Sequence, residues 1–173
     1  MSLFALIRWT VALMRLRATP AEAPASVWLL LQLLLLDLVS SVFYLQATNL
    51  PFTAYDLLGR LSLRLALVYG LMWLFGQQRR FTQTAIALYA TSAAITFIAM
   101  PIAAGLSRTP PEARDLTTEL LLLGHISLLC WSVLIDAHIL RHALEIKLWW
   151  AIGLALGLFV IFLQIASQLF AST

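Results

Sequence analysis

Five apolar stretches, at about 27–47, 56–76, 83–105, 117–141 and 148–170, occupy most of this chain of 173 residues. Each is close to the about 20 residues that cross a hydrocarbon core of about 30 Å as a helix. Bilayer interior offers the backbone no water, so runs of this length must satisfy their own N–H and C=O groups as helices. Composition points the same way. Hydrophobic residues make up 62% of the chain and charged residues 11%, where a soluble domain carries about a quarter charged. Mean hydropathy is +0.92. A soluble fold of this size could not hide so much apolar surface. The sequence therefore predicts an all-α, polytopic membrane helix bundle with lipid as its exterior.

The links between stretches are short: TNLPFTAY, QQRRFT, LSRTPPEARDL and HALEIK lie at or near the turns. Short links make sequential helices antiparallel neighbours. Residues 25–173 thus read as one five-helix transmembrane domain without an internal repeat. Residues 1–24 read as an amphipathic interfacial helix and a Pro-containing linker. In SLFALIRWTVALMRLR, Arg8, Ala12 and Arg15 share one helical face, and Phe4, Leu6, Ile7, Val11, Leu13 and Met14 cover much of the rest. That pattern fits a basic helix lying on the bilayer, with Trp9 as an interface anchor. Arg15 and Arg17 follow the apolar stretch, whereas a signal peptide carries its charge before it. The segment is expected to stay on the chain and to end where Pro20 and Pro24 break the helix.

Net charge is +3 at pH 7. No basic stripe with interleaved aromatics accompanies it, so nucleic acid is not an expected partner. Instead, most charges fall in loops and at span ends, where they set orientation and meet anionic headgroups. With the N-terminus inside, the inner side holds Arg8, Arg15, Arg17, Arg79, Arg80, Arg141 and Lys147, and the outer side Arg108 and Arg114. The outer pair shares its loop with Glu112, Asp115 and Glu119. This imbalance predicts a cytoplasmic N-terminus and an outer C-terminus. Ten Arg against one Lys fits a GC-rich bacterial genome, and hence an inner membrane.

Ionisable groups inside spans are functional candidates, though they also hold helices in register. Asp37 lies about 15 Å from the inner face, and Arg64, running the other way, about 18 Å from it, at ~1.5 Å per residue. The two should meet within about 4 Å as an ion pair. His125 reaches the same layer, and Asp136 lies nearer the inner end. Asp37, Ser40, Ser41 and Tyr44 share a face of the first span. Asp56, Arg60 and Arg64 step by four along the second, which lets Asp56 and Arg60 pair. Thr118, His125, Ser132 and Asp136 share a face of the fourth. Such stripes should face a common interior. The layer reads either as a proton relay or substrate site, or as a structural ion pair.

His138, His142 and Glu145 step by four and then three along a helix end. Two His at i and i+4 can share a metal, with Glu145 as a third ligand. The alternative is a capped helix end whose His and Arg side chains suit the dipole. Gly153 and Gly157, with Ala151 and Ala155 beside them, form a small-residue face for close helix approach, either within the bundle, the first expectation, or between protomers. Trp149 and Trp150 stand where an interfacial belt belongs. Gln164 and Gln168 read as an interhelical contact, and Cys130 as a small core residue. No phosphate loop, GxSxG elbow or CxxC occurs, so neither an enzymatic activity nor a cofactor is expected.

The N-terminal segment ending in TPAEAPAS, the five close-set spans, and the stretch WSVLIDAHILRHAL from Trp131 to Leu144 followed by a Gly-containing span resemble the YIP family of five-span membrane proteins and its small bacterial relatives. The Gly-Tyr-rich motif of many eukaryotic members is missing. The leading expectation is a non-enzymatic assembly or membrane-organising factor acting through helix and subunit contacts, with the lipid bilayer and a membrane protein or a second copy as partners. The alternative is a small transporter or proton-linked subunit that uses the Asp37, Arg64 and His125 layer. A membrane metalloenzyme is the third reading.

Overall fold

Four helices begin where a short polar side chain takes up an orphan N–H of the first turn. Ser2 caps α1 (Leu3–Met14), Ser26 caps α2 (Val27–Ala47), Thr53 caps α3 (Ala54–Leu74) and Asp115 caps α5 (Leu116–Leu144). Two more helices complete the chain, α4 (Phe81–Arg108) and α6 (Leu148–Phe170). The computed structural model describes residues 2–108 and 115–170. Glu112 and Arg114 of the expected outer loop lie outside the described residues. Five of the six helices, α2 to α6, are long and apolar enough to cross a membrane.

Caps explain the differences from the expected bounds. Thr53 and Asp56 form a capping box, which starts α3 two residues before the expected 56. Gly76 ends that helix at φ +67°, a conformation open to glycine. At the start of α5, Thr118 donates to the Asp115 carboxylate from its hydroxyl and its N–H, which holds that carboxyl below its ordinary range. That contribution is present above the ordinary carboxylate range and fades as pH falls through the lowered value. The same helix runs past the expected 141 to Leu144, where Glu145 turns left-handed at φ +57°. Arg80 pairs with the Glu145 carboxylate and donates to the carbonyls of His142 and Ala143, closing the helix end.

α4 is the packing centre. Half of its spanning residues are buried, against at most 22% in any other span. Its small side chains, Ala85, Ala87, Ala90, Ala93, Ala99 and Ala103, are buried and let neighbours approach closely. For that reason α2 packs along α4 rather than along α3, the neighbour its short link led one to expect. α5 lies on another side of α4, and α6 lies on α5. α3 closes the ring between α6 and α2 with few contacts to any helix.

The N-terminal segment is part of this core. Leu13 is fully buried, and Trp9, Ala18 and Ala23 join Leu33, Ile86, Tyr89 and Ile139 in one apolar cluster. Trp9 therefore anchors inward, its indole N–H donating to the Thr19 carbonyl at 3.3 Å, rather than serving as an interface anchor. Arg8, Arg15 and Arg17 stay exposed, and so does an apolar edge of Leu3, Phe4 and Ile7. The linker carbonyls find side-chain donors, as buried backbone must. Gln83 donates to Ala21 and Ala23, and His138 Nε2 lies 2.9 Å from the Ala18 carbonyl.

Docking of α1 has a measurable consequence. Leu13→Ala should destabilise the protein by about 2–5 kcal/mol, the usual result of emptying a filled core site. Thermal unfolding in detergent reads it. A variant that melts with the wild type would mean that α1 does not rest on the bundle.

Candidate functional site

The thin packing of α3 leaves room on its inner face. A cavity of about 860 Å³ lies there, lined by residues of all five spans. It runs from the α2–α3 loop, at Leu50, Phe52 and Asp56, down to Asp37, Arg64 and Asp136. Buried Met72, Ile86 and Ile139 pack the helices toward the end where α1 docks. Most of the cavity lining is apolar, and Asp37, Arg64 and Asp136 form a charged floor one turn above Val68 and Leu140.

Arg64 organises the floor. Its Nη1 donates to Ser92 Oγ at 2.7 Å, and its Nη2 lies 3.7 Å from Asp136 Oδ2. The guanidinium also stands 5.3 Å from the centre of the Tyr89 ring, in cation–π range. Tyr89 in turn donates its hydroxyl to the Leu61 carbonyl at 3.1 Å. One side chain thus ties α3 to α4 and α5. Both charged partners are about a third exposed, but to the cavity, at 27% and 35%.

The expected partner of Arg64 was Asp37, and the structure corrects this. Asp37 is buried and faces Ser92 and the Arg64 charge, but makes no ion pair within 4.0 Å. Depth along two spans was estimated correctly, yet depth does not say which way a helix is turned. With α2 lying on α4, Ser92 comes between the two charges. Asp136 sits deeper than expected because α5 continues three residues past 141, about 4.5 Å at ~1.5 Å per residue. His125 lines the same cavity but not the same layer: it stands 11 residues, about 16.5 Å at ~1.5 Å per residue, along α5 from the Asp136 that Arg64 meets. Its Nδ1 is buried without a hydrogen-bond partner among the described residues, as is Asp37 Oδ1.

The three stripes do converge. Ser41 and Tyr44 of α2, Asp56 and Arg60 of α3, and Ser132 of α5 all line the cavity, whereas Ser40 turns back to the Asp37 carbonyl at 2.8 Å. Asp56 also serves the cap of α3, accepting from the Thr53 N–H and hydroxyl. Thr118 does the same work at the start of α5 and does not line the cavity. Sequence reading missed the contribution of α4. Tyr89, Ser92 and Thr96 line the cavity at spacings of three and four, a stripe that was visible but overshadowed by the charged ones.

His138, His142 and Glu145 are not brought to a common point. The two imidazoles meet edge to face at 4.6 Å, but His138 turns to Ala18, and Glu145 turns to Arg80. Among the described residues no group of three His, Cys, Asp or Glu is placed to hold a metal ion.

Three smaller expectations are also corrected. Gly153 and Gly157 have no neighbour within 4 Å of an added Cβ, while Ala151 and Ala155 face inward and provide the close approach to α5. Gln164, Gln168 and Cys130 are exposed on the outside of the bundle rather than packed within it. Trp149 and Trp150 are exposed too, as an interfacial belt requires.

A double-mutant cycle tests the floor. Arg64→Leu and Asp136→Leu should each lower thermal stability. Their coupling should exceed the about 0–1 kcal/mol of an exposed pair, because the site lies inside the bundle. Additive effects would show that the two charges do not interact.

No family model, curated protein or solved structure matches the chain.

Proposed function

We propose that this protein is a small transporter or proton-linked membrane subunit, and that the polar cavity is where it binds what it moves. One observation carries this reading: a membrane bundle keeps an open cavity of about 860 Å³ whose floor holds Asp37, Arg64 and Asp136 and whose upper wall holds His125. Register alone needs a filled interface with its polar atoms paired. A cavity lined by Asp37 and His125, each with a buried side-chain atom that has no hydrogen-bond partner among the described residues, is a poor way to pack helices and a good way to hold a ligand. The volume falls in the about 300–1,000 Å³ of small-molecule sites. On the distribution of Lys and Arg, the protein sits in a bacterial inner membrane with its N-terminus cytoplasmic and the pit facing outward.

A second reading keeps the assembly or membrane-organising role expected first from the sequence. What favours it is the outward turn of Gly153 and Gly157, which leaves a small-residue face for a partner helix or a second copy.

Thiol labelling tests the first reading. In a Cys130→Ser background, Ser41→Cys places a thiol on the cavity wall. A membrane-impermeant maleimide should label it from the outer side of intact cells and not from the cytoplasmic side of inverted vesicles. Absence of labelling from either side would remove the open cavity and the transport reading with it. Labelling from the cytoplasmic side alone would reverse the orientation.

A further inference from the structure

The charge balance of the cavity says what kind of ligand it takes. Its walls carry the carboxylates of Asp37, Asp56 and Asp136 against the guanidiniums of Arg60 and Arg64. Asp56 and Arg60, of opposite charge, both line the cavity on the α3 side above Arg64. The floor is left with two carboxylates and one guanidinium. That guanidinium is already committed to Asp136, Ser92 and the Tyr89 ring. Asp37 is the carboxylate left over. It is 8% exposed, lines the cavity, and its Oδ1 has no hydrogen-bond partner. Asp37 shares the single Arg64 charge with Asp136, so the floor with both carboxylates ionised has one negative charge in excess and calls for one more positive charge.

The walls above say what surrounds that charge. Phe52, Phe159 and Phe162 line the cavity together with Leu45, Leu57 and Ile95. Aromatic faces attract cations and apolar side chains accept a hydrocarbon body. We propose that the cavity binds a lipophilic cation, with its positive centre at Asp37 and its apolar body against the phenylalanines. This rests on the reading of the cavity as a binding site and adds the class of ligand.

A proton competes for the same carboxylate. The charged and titratable groups that share the cavity with Asp37 are Tyr44 from its own helix, Asp56, Arg60 and Arg64 from α3, Tyr89 from α4, and His125 and Asp136 from α5. The wall from α6 is Ala155, Leu158, Phe159 and Phe162 and brings no charge. Asp136 is held by Arg64, the two tyrosines would have to give up a proton, and His125 offers only a neutral acceptor, so Asp37 is the carboxylate of the floor outside the Arg64 ion pair. Cation binding should therefore weaken as pH falls and should release protons into the medium.

The test uses a pair of ions with one shape and opposite charge. Tetraphenylphosphonium and tetraphenylborate are dialysed to equilibrium against the full-length protein in detergent, with empty micelles as the baseline. The cation should bind saturably and at least about tenfold more tightly than the anion. Asp37→Asn should lose about tenfold in cation affinity and abolish proton release, with the anion unaffected. The comparison of ions on the wild-type protein stands even where the variant fails to fold. Equal binding of both ions would overturn the cation assignment and leave the cavity a binding site. Binding of neither, with Ser41→Cys still labelled from one side, would overturn the assignment alone. Binding of neither without labelling would overturn the binding site as well.

Discussion

The interior of this bundle depends on Arg64. A guanidinium halfway through a membrane must be met by acceptors, and here they come from two other helices. Ser92 of α4 and Asp136 of α5 hold its two ends, and the Tyr89 ring lies beside it. α3 has few other ties, since its apolar contacts with α2, α4 and α6 are sparse. A directional polar contact thus replaces the tight packing that joins α2 to α4. Packing would have filled the space; a polar tether spans it. The cavity exists because α3 is held at a distance by one long side chain rather than pressed home by many short ones.

The two ends of the bundle are built differently. At the end where α1 docks, apolar clusters and the Arg80 cap close the helices together. Leu13, Met72 and Ile86 are fully buried there. At the other end the α2–α3 loop borders the cavity instead of plugging it. On the proposed reading of the cavity, a ligand would enter from one side and stop at the charged floor. Passage through the bundle would need the closed end to open, and the elements there include the docked N-terminal segment. Side chains of α1, α4 and α5 hold that segment by its carbonyls. Such contacts are directional and few, which makes them easier to exchange than an apolar interface.

The sequence made the five spans, their approximate bounds and the inward facing of Asp37, Arg64, His125 and Asp136 legible, though His125 lies about 16.5 Å along α5 from Asp136 and outside the layer expected for it. Hydropathy and length suffice for spans, because lipid leaves few alternatives to helix. Depth along a span follows from counting, since each residue rises by a fixed amount. Partners did not follow in the same way. Asp37 and Arg64 lie at similar depth, yet Ser92 comes between them because α2 chose α4. The end of α5 was set too early by its apolar run, and the depth of Asp136 moved with it. Trp9 shows the same limit: its place in an amphipathic helix was clear, but whether it faced lipid or protein was not.

By itself, then, the sequence determined that this chain is a lipid-surrounded helix bundle with charged residues near one level. It did so because helix geometry and the absence of water in hydrocarbon act locally on each segment. Only the tertiary structure decided which helices touch, which carboxylate Arg64 takes, and that an open cavity remains. Those outcomes depend on the rotation of each helix about its own axis. That rotation is set by contacts between residues far apart in the chain: the small buried alanines of α4, the long reach of Arg64, and the N-terminal segment folded back onto α5.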